Sequence, residues 1–436
     1  MKTKKNYFCS ASLILVLTLA VLNEGASKSA CVLAASPTLA DAGVVPVAQT
    51  NEASRPSAPR PGAYRLAGGT VYVGVEAEPP DHPAIQFYEE STRRTGILEH
   101  LSGQEYRTSD SPFMKFVLDS PVSPIVEKPF VIENGADRLG ASLWYAPGVG
   151  QHSTIILIHG ADDETRDMGF LIPYFVSHGL NVVAYDQRGT RESTGDWRFT
   201  GPESKADDIV AVLQKIKNDP AVNANRIGVW AFSNGGWVAP IVATRFPLAF
   251  MILKSASSQT IVDNVLYEIG QALRQHDQFT PKQISAALDF ERTMFRALET
   301  NSNWSAAGEA LNAAKSQPWF PYMRIPPGMT TPPPPPMLSA LRAALIYDPT
   351  ATLQRVHTPT LALFGALDKN VDATDSAARF RKALDQAGLK DLTISIFPDA
   401  GHTLKKSTTG YVDDPSIPEQ MVEGYPEAMI HWLDAR

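Results

Sequence analysis

Three residues with the chemistry of acyl transfer, Ser233, Asp368 and His402, each follow an apolar run. A serine hydroxyl is a weak nucleophile at neutral pH and needs a base within hydrogen-bond reach. An imidazole titrates in the useful range. It needs a carboxylate to fix its tautomer and to stabilise the imidazolium. Ser233 sits in Val229-Trp230-Ala231-Phe232-Ser233-Asn234-Gly235-Gly236, which reads as strand, tight turn and helix. Such a turn is strained and needs small residues two positions either side of the serine. Ala231 and Gly235 meet that need. Asp368 lies in Gly365-Ala366-Leu367-Asp368-Lys369-Asn370-Val371, and His402 ends Pro398-Asp399-Ala400-Gly401-His402.

An oxyanion formed at Ser233 would need two N–H donors. The backbone amide of Asn234 is one candidate, and that of Ala161, in His159-Gly160-Ala161-Asp162, is the other. Asp372 and Asp399 are alternative acids. Asp372 is better placed as a helix cap, and Asp399 is only three residues from His402. His357 precedes a strand, His178 sits at a helix end, and His159 fits a structural role. His82 and His100 have no metal-ligand spacing.

The flanking segments predict the elements that hold these groups. Thr154–Ile158 and Asn181–Tyr185 read as strands buried on both faces of a parallel sheet. So do the approach to Ser233, residues 250–254, Thr360–Gly365 and Leu392–Phe397. Helices are expected over residues 168–178, 205–217, 372–387 and 426–433, and a hairpin around Asn134-Gly135. This alternation predicts an α/β fold with a mostly parallel sheet. It breaks between Ser257 and Tyr347, where residues 261–316 read as helical and a proline run, Pro332–Pro336, follows. The prolines are expected to stay extended, outside any helix. The segment is expected to cap the cleft, with Trp319, Phe320 and Tyr322 as its lining.

The N-terminal part is different in texture. Lys2, Lys4 and Lys5 precede an apolar run, Ala11–Leu22, and then small residues, the layout of a secretory signal peptide. The run is too short to span a bilayer comfortably. Lys28 argues against lipoprotein processing at Cys31. Residues 32–62 are rich in Ala, Pro, Ser and Thr and read as a linker. Short β-like runs occupy residues 71–75, 85–88, 97–101 and 114–118. The expected organisation is a signal peptide (1–30), a disordered linker (31–62) and a β-rich accessory domain (63–128). A catalytic domain (129–256 and 348–436) is interrupted by a cap insertion (257–347). The 436 residues carry a net charge of −7, with 44% hydrophobic and 19% charged residues. That composition gives no reason to expect a nucleic-acid partner. The only cysteines are Cys9 and Cys31, so no disulfide framework is expected after leader removal.

From about Phe130 to Arg436 the chain resembles the α/β-hydrolase superfamily. More closely, it resembles bacterial serine carboxylesterases with an N-terminal β-rich domain, near the prolyl-oligopeptidase-like branch. The resemblance rests on Leu157-Ile158-His159-Gly160, Tyr185-Asp186-Gln187-Arg188-Gly189, Ser193-Thr194-Gly195-Asp196-Trp197, Ser233-Asn234-Gly235-Gly236-Trp237, and the Asp368 and His402 loops. The order serine, acid, histidine is that of the superfamily. The resemblance implies a serine hydrolase that cleaves a small-molecule ester through an acyl-enzyme, with no metal or organic cofactor. It also gives Asp186 and Arg188 a structural role. The signal-peptide layout implies a secreted or periplasmic location and no stable membrane span after leader cleavage. A serine peptidase or thioesterase with the same triad is the nearest alternative, and a non-catalytic binding protein a more distant one. Ala231 replaces the usual glycine of the serine motif. Asp162 and Asp163 replace a Gly/Ser-rich loop and are expected to disfavour anionic acyl groups if they lie near the mouth.

Overall fold

The computed structural model describes residues 59–76, 84–109, 113–161, 164–276, 278–325, 329–411 and 419–436. The leader, most of the linker, Cys9, Cys31, His82, Asp162 and Asp163 lie outside these residues.

Seven antiparallel strands form the first sheet: β1 (Gly62–Leu66), β2 (Gly69–Glu76), β3 (Ala84–Glu89), β4 (Thr95–Ser102), β5 (Glu105–Thr108), β6 (Lys115–Val117) and β7 (Ser123–Pro124). Their order is β6-β5-β4-β3-β2-β1-β7. Alternation along the strands sorts the side chains between two faces. Tyr64, Val71, Val73, Phe87, Leu98, Tyr106 and Phe116 form one core. Tyr72 and Tyr88 point the other way, toward the second sheet. Strands β1, β5 and β7, which the sequence reading does not anticipate, have five residues or fewer, as does β6.

The second sheet has eight strands in the order β15-β14-β13-β12-β10-β11-β9-β8. It opens with the hairpin β8 (Val126–Asn134) and β9 (Asp137–Tyr145), turning at Asn134-Gly135 as expected. There follow β10 (His152–Ile158), helix α1 (Leu171–Ser177), β11 (Asn181–Tyr185), α2 (Pro202–Ile216), β12 (Val222–Phe232), α3 (Gly235–Arg245) and β13 (Met251–Lys254). An all-helical excursion comes next: α4 (Ile261–Arg274), α5 (Pro281–Thr300), α6 (Trp304–Ala314) and α7 (Pro335–Leu345). The chain returns through α8 (Thr350–Leu353) to β14 (Thr360–Gly365), α9 (Ala373–Gln386), β15 (Leu392–Phe397) and α10 (Glu427–Asp434). The six strands from β10 to β15 pair in parallel, and β9 joins β11 antiparallel.

The parallel strands are buried on both faces, as their continuous apolar runs require. Ile156, Ile158, Val183, Val229, Ala231, Leu253 and Phe364 meet α2, α3 and α9 on one side. Ile155, Leu157, Val182, Trp230, Ile252 and Leu363 meet α1, α10 and the first sheet on the other. This is the α/β-hydrolase fold with a β-rich N-terminal sheet. The first sheet is bound to the second by packing and by backbone bonds. Gly169 donates to the Val75 carbonyl, and Thr95 donates to that of Glu419. The Tyr72 and Tyr174 rings meet edge-on at 5.1 Å.

Two expectations for the helical excursion need correcting. The proline run does enter a helix: Pro334 caps α7, and Pro335 and Pro336 form its first turn. The first turn tolerates proline because its N–H groups have no intrahelical acceptor to lose. The aromatics are not cleft lining. Trp319 and Phe320 pack on Phe290, and Tyr322 packs on His276 and Phe279. They build the excursion's own core together with Met294, Phe295, Leu298 and Leu311.

Candidate active site

In the sheet order, β10 stands between β11 and β12, so the chain winds away from it in both directions. Ligands of open α/β sheets bind at such a switch, beyond the carboxyl ends of the strands. Ser233 leaves β12 at that edge, and the loop beginning at His159 leaves β10.

The Ser233 turn is strained. Its φ is +53° in a non-glycine residue, a conformation that costs about 1–3 kcal/mol and must be held by its surroundings. Its N–H donates to the Lys254 carbonyl at the end of β13, and its own carbonyl accepts from Gly236. Gly235 shows why the neighbours are small. A Cβ there would lie 3.0 Å from the His159 carbonyl oxygen and 3.1 Å from the Ala231 methyl. Ala231 and Gly235 touch, so alanine is accommodated at the first position because glycine holds the second.

The structure brings Ser233, His402 and Asp368 together. His402 Nε2 lies 3.0 Å from Ser233 Oγ, and Nδ1 lies 2.8 Å from Asp368 Oδ2. All three side chains are buried. The other carboxylate oxygen, Asp368 Oδ1, accepts from the Asn370 and Val371 amides at 2.8 and 2.9 Å. Gly365 lets the two loops meet: a Cβ there would fall 2.4 Å from the carbonyl oxygens of both Ala400 and Gly401. The alternative acid Asp372 caps α9 through the Asp375 amide. His178 bonds the Tyr174 carbonyl, as a helix-end histidine does.

The loop after β10 lies against Ser233. A Cβ on Gly160 would sit 3.6 Å from Ser233 Cβ. Among the described residues, the amides of Ala161 and Asn234 have no acceptor. His159 is structural: Nε2 bonds the Tyr185 carbonyl at 2.6 Å and Nδ1 meets Glu164 Oε2 at 3.1 Å. The same carboxylate oxygen accepts from the Gly160 amide at 3.1 Å. Burial pushes the Glu164 carboxyl up, but the His159 imidazole and the Gly160 amide outweigh it and hold it below its ordinary value. Asp186 receives the buried Arg166 guanidinium, and Arg188 pairs with Asp208.

Helix α4 contributes contacts with no local sequence signal. The Tyr267 hydroxyl donates to the Asp368 carbonyl at 2.8 Å, and Asn264 Nδ2 donates to the Asn370 carbonyl at 3.2 Å. Asn370 Nδ2 reaches Glu268 Oε1 at 3.4 Å, and Arg324 pairs with the same oxygen at 3.2 Å. Burial pushes the Glu268 carboxyl up, against the pull of Arg324 and His402. Among the described residues, no group of three His, Cys, Asp or Glu side chains is placed to hold a metal ion.

A family model described as X-Pro dipeptidyl-peptidase (S15 family) matches residues 133–396. That is more than half of the 436-residue chain. A curated Escherichia coli relative, described as "Uncharacterized 31.7 kDa protein in traX-finO intergenic region", is 30% identical over 90 residues, which are 20% of this chain. The chain spans only 30% of that relative's length. Among solved structures, a Pyrococcus furiosus esterase aligns with a TM-score of 0.45 at 15% identity, over 71% of this chain and 91% of its own. A Pyrococcus horikoshii acylaminoacyl peptidase aligns with a TM-score of 0.42 at 14% identity, over 77% of this chain and 47% of its own.

Proposed function

The chain belongs to the X-Pro dipeptidyl-peptidase (S15) family, and from that premise we propose that it is a serine hydrolase cleaving carboxylic esters through an acyl-enzyme. The observation that carries the reading is His402 placed between Ser233 Oγ at 3.0 Å and Asp368 Oδ2 at 2.8 Å. In this reading Ser233 Oγ attacks the acyl carbon while His402 Nε2 takes its proton. Asp368 holds the Nδ1 proton and stabilises the imidazolium. The Ala161 and Asn234 amides donate to the tetrahedral oxyanion. Nε2 then returns the proton to the leaving oxygen as the C–O bond breaks. Water, deprotonated by the same nitrogen, releases the acid and restores Ser233. Export ahead of catalysis, through the leader at residues 1–30, belongs to the same proposal.

The family match favours a second reading, in which the scissile bond is an X-Pro amide. Both substrate classes can be compared as short-chain aryl esters and X-Pro arylamides, with wild type and Ser233→Ala. The expected result is faster ester turnover and a loss of at least about 10⁴-fold in kcat in the variant. Equal rates for the two proteins remove Ser233 as nucleophile. Arylamide turnover exceeding ester turnover replaces the ester with the dipeptidyl substrate.

A further inference from the structure

A small recess is lined by Asn234 and by Gly160, the residue before Ala161, so it lies beside the groups assigned to the oxyanion; Trp197 and Trp237 are among its walls. Ile261 at the start of α4 and Ala344 of α7 also line it, so the helical excursion contributes to its boundary. Its free volume is about 30 Å³. A water-sized group needs roughly 10–15 Å³ on that measure, so the recess holds about two to three such groups.

We propose that this recess receives the acyl chain and restricts the substrate to short, uncharged acyl groups, of roughly acetyl to butyryl size. The inference rests on Ser233 being the nucleophile. Its direction follows from proton traffic. The leaving oxygen must come within reach of His402 Nε2 to be protonated. Neither His402 nor its loop lines the recess, whereas Gly160 and Asn234 beside the oxyanion amides do. The acyl chain, bonded to the carbon that bears the oxyanion, is therefore the part that turns into it. The charge preference follows from pairing. Arg198, on the wall, is held by Asp196 at 2.8 and 3.1 Å. Lys205, also on the wall, interacts electrostatically with Glu164. Each wall cation is thus already engaged by a carboxylate, Asp196 or Glu164, before an acyl group arrives. Two tryptophans and an isoleucine favour an apolar one.

The test is a ladder of p-nitrophenyl acetate, butyrate, octanoate and hemisuccinate, measured as kcat/KM. Wild type is expected to favour acetate and butyrate over octanoate by at least about 10-fold, since an apolar pocket discriminates about that much per misfit methylene. Hemisuccinate is expected to fall below butyrate. Ile261→Ala and Trp197→Ala, on different elements, are each expected to raise the octanoate-to-acetate ratio at least about 10-fold. Octanoate equal to or better than acetate in wild type overturns the proposal without any variant. So does an unchanged ratio in every variant that keeps a cooperative thermal transition, and so does a preference for hemisuccinate. Ser233→Ala separates the two levels of inference. If it still turns over acetate, the nucleophile reading fails. If it is inactive while wild type shows no chain-length preference, only the recess assignment fails.

Discussion

Two arms converge on Ser233, and they are built by opposite rules. In the acid–base arm the polar groups are paired: His402 bonds both Ser233 and Asp368, and the second Asp368 oxygen takes two amides. In the other arm the amides of Ala161 and Asn234 have no acceptor among the described residues, and their loop is held from behind by Glu164. In the proposed reaction the base must be oriented before substrate arrives, so its bonds are complete at rest. Donors for a charge that exists only during reaction must stay unpaired until it forms.

Breaking the first arm is expected to have the largest effect. Asp368→Asn should retain the fold and lower kcat by about 10⁴-fold, because the amide favours the wrong imidazole tautomer. Single-turnover kinetics beside circular dichroism check this, and activity within tenfold of wild type would pass the acid role to Asp372 or Asp399. In the second arm, Glu164→Gln should lower kcat by about 10-fold with little change in KM. It loosens the loop that presents the Ala161 amide, whereas losing a donor outright costs about 10²–10³. A KM effect without a kcat effect would place Glu164 in ground-state binding instead. Tyr267→Phe should be milder, about 5-fold in kcat, because it removes one hydrogen bond to the acid loop, worth about 1 kcal/mol. An unchanged kcat at every pH would show that the loop holds its position without α4.

The smallest expected effect on activity lies away from both arms. Glu291 on α5 is fully buried. Its Oε1 accepts from the Arg324 amide at 2.6 Å, and its Oε2 has no partner among the described residues. Burial raises its carboxyl from 4.5 to about 7. Below about pH 4.5 the folded and unfolded chains both hold this proton. As pH rises toward 7 the unfolded chain releases it first, so stability falls across that window and stays lower above it. The loss is on the order of 3 kcal/mol. Glu291→Gln should remove most of it, narrowing the melting-temperature gap between pH 5 and pH 8 while leaving ester turnover near wild type. A gap as wide as before would mean that another group carries the pH dependence.

What the sequence made legible was whatever burial or local geometry enforces. Buried parallel strands must be continuous apolar runs, so Thr154–Ile158 and Asn181–Tyr185 stand out. Ser233, Asp368 and His402 follow from the apolar runs of β12, β14 and β15, which end just before them. The contacts of Tyr267 and Asn264 were not legible. Their partners lie about a hundred residues away, and nothing in the spacing of one helix reveals what it docks against. The cap aromatics misled for a related reason. A tryptophan in a helical excursion has the same local pattern whether it lines a cleft or fills that excursion's own core. The proline run misled because its last members fall in a helix's first turn, where the prohibition lapses.

The bonds from α4 to the acid loop have a mechanical consequence. Helix α4 and the acid loop share a beam: Tyr267 and Asn264 of the helix hold the carbonyls of Asp368 and Asn370. The carboxylate that bonds His402 is therefore anchored in part by a helix of the excursion, so the position of the acid loop depends on how that helix is seated.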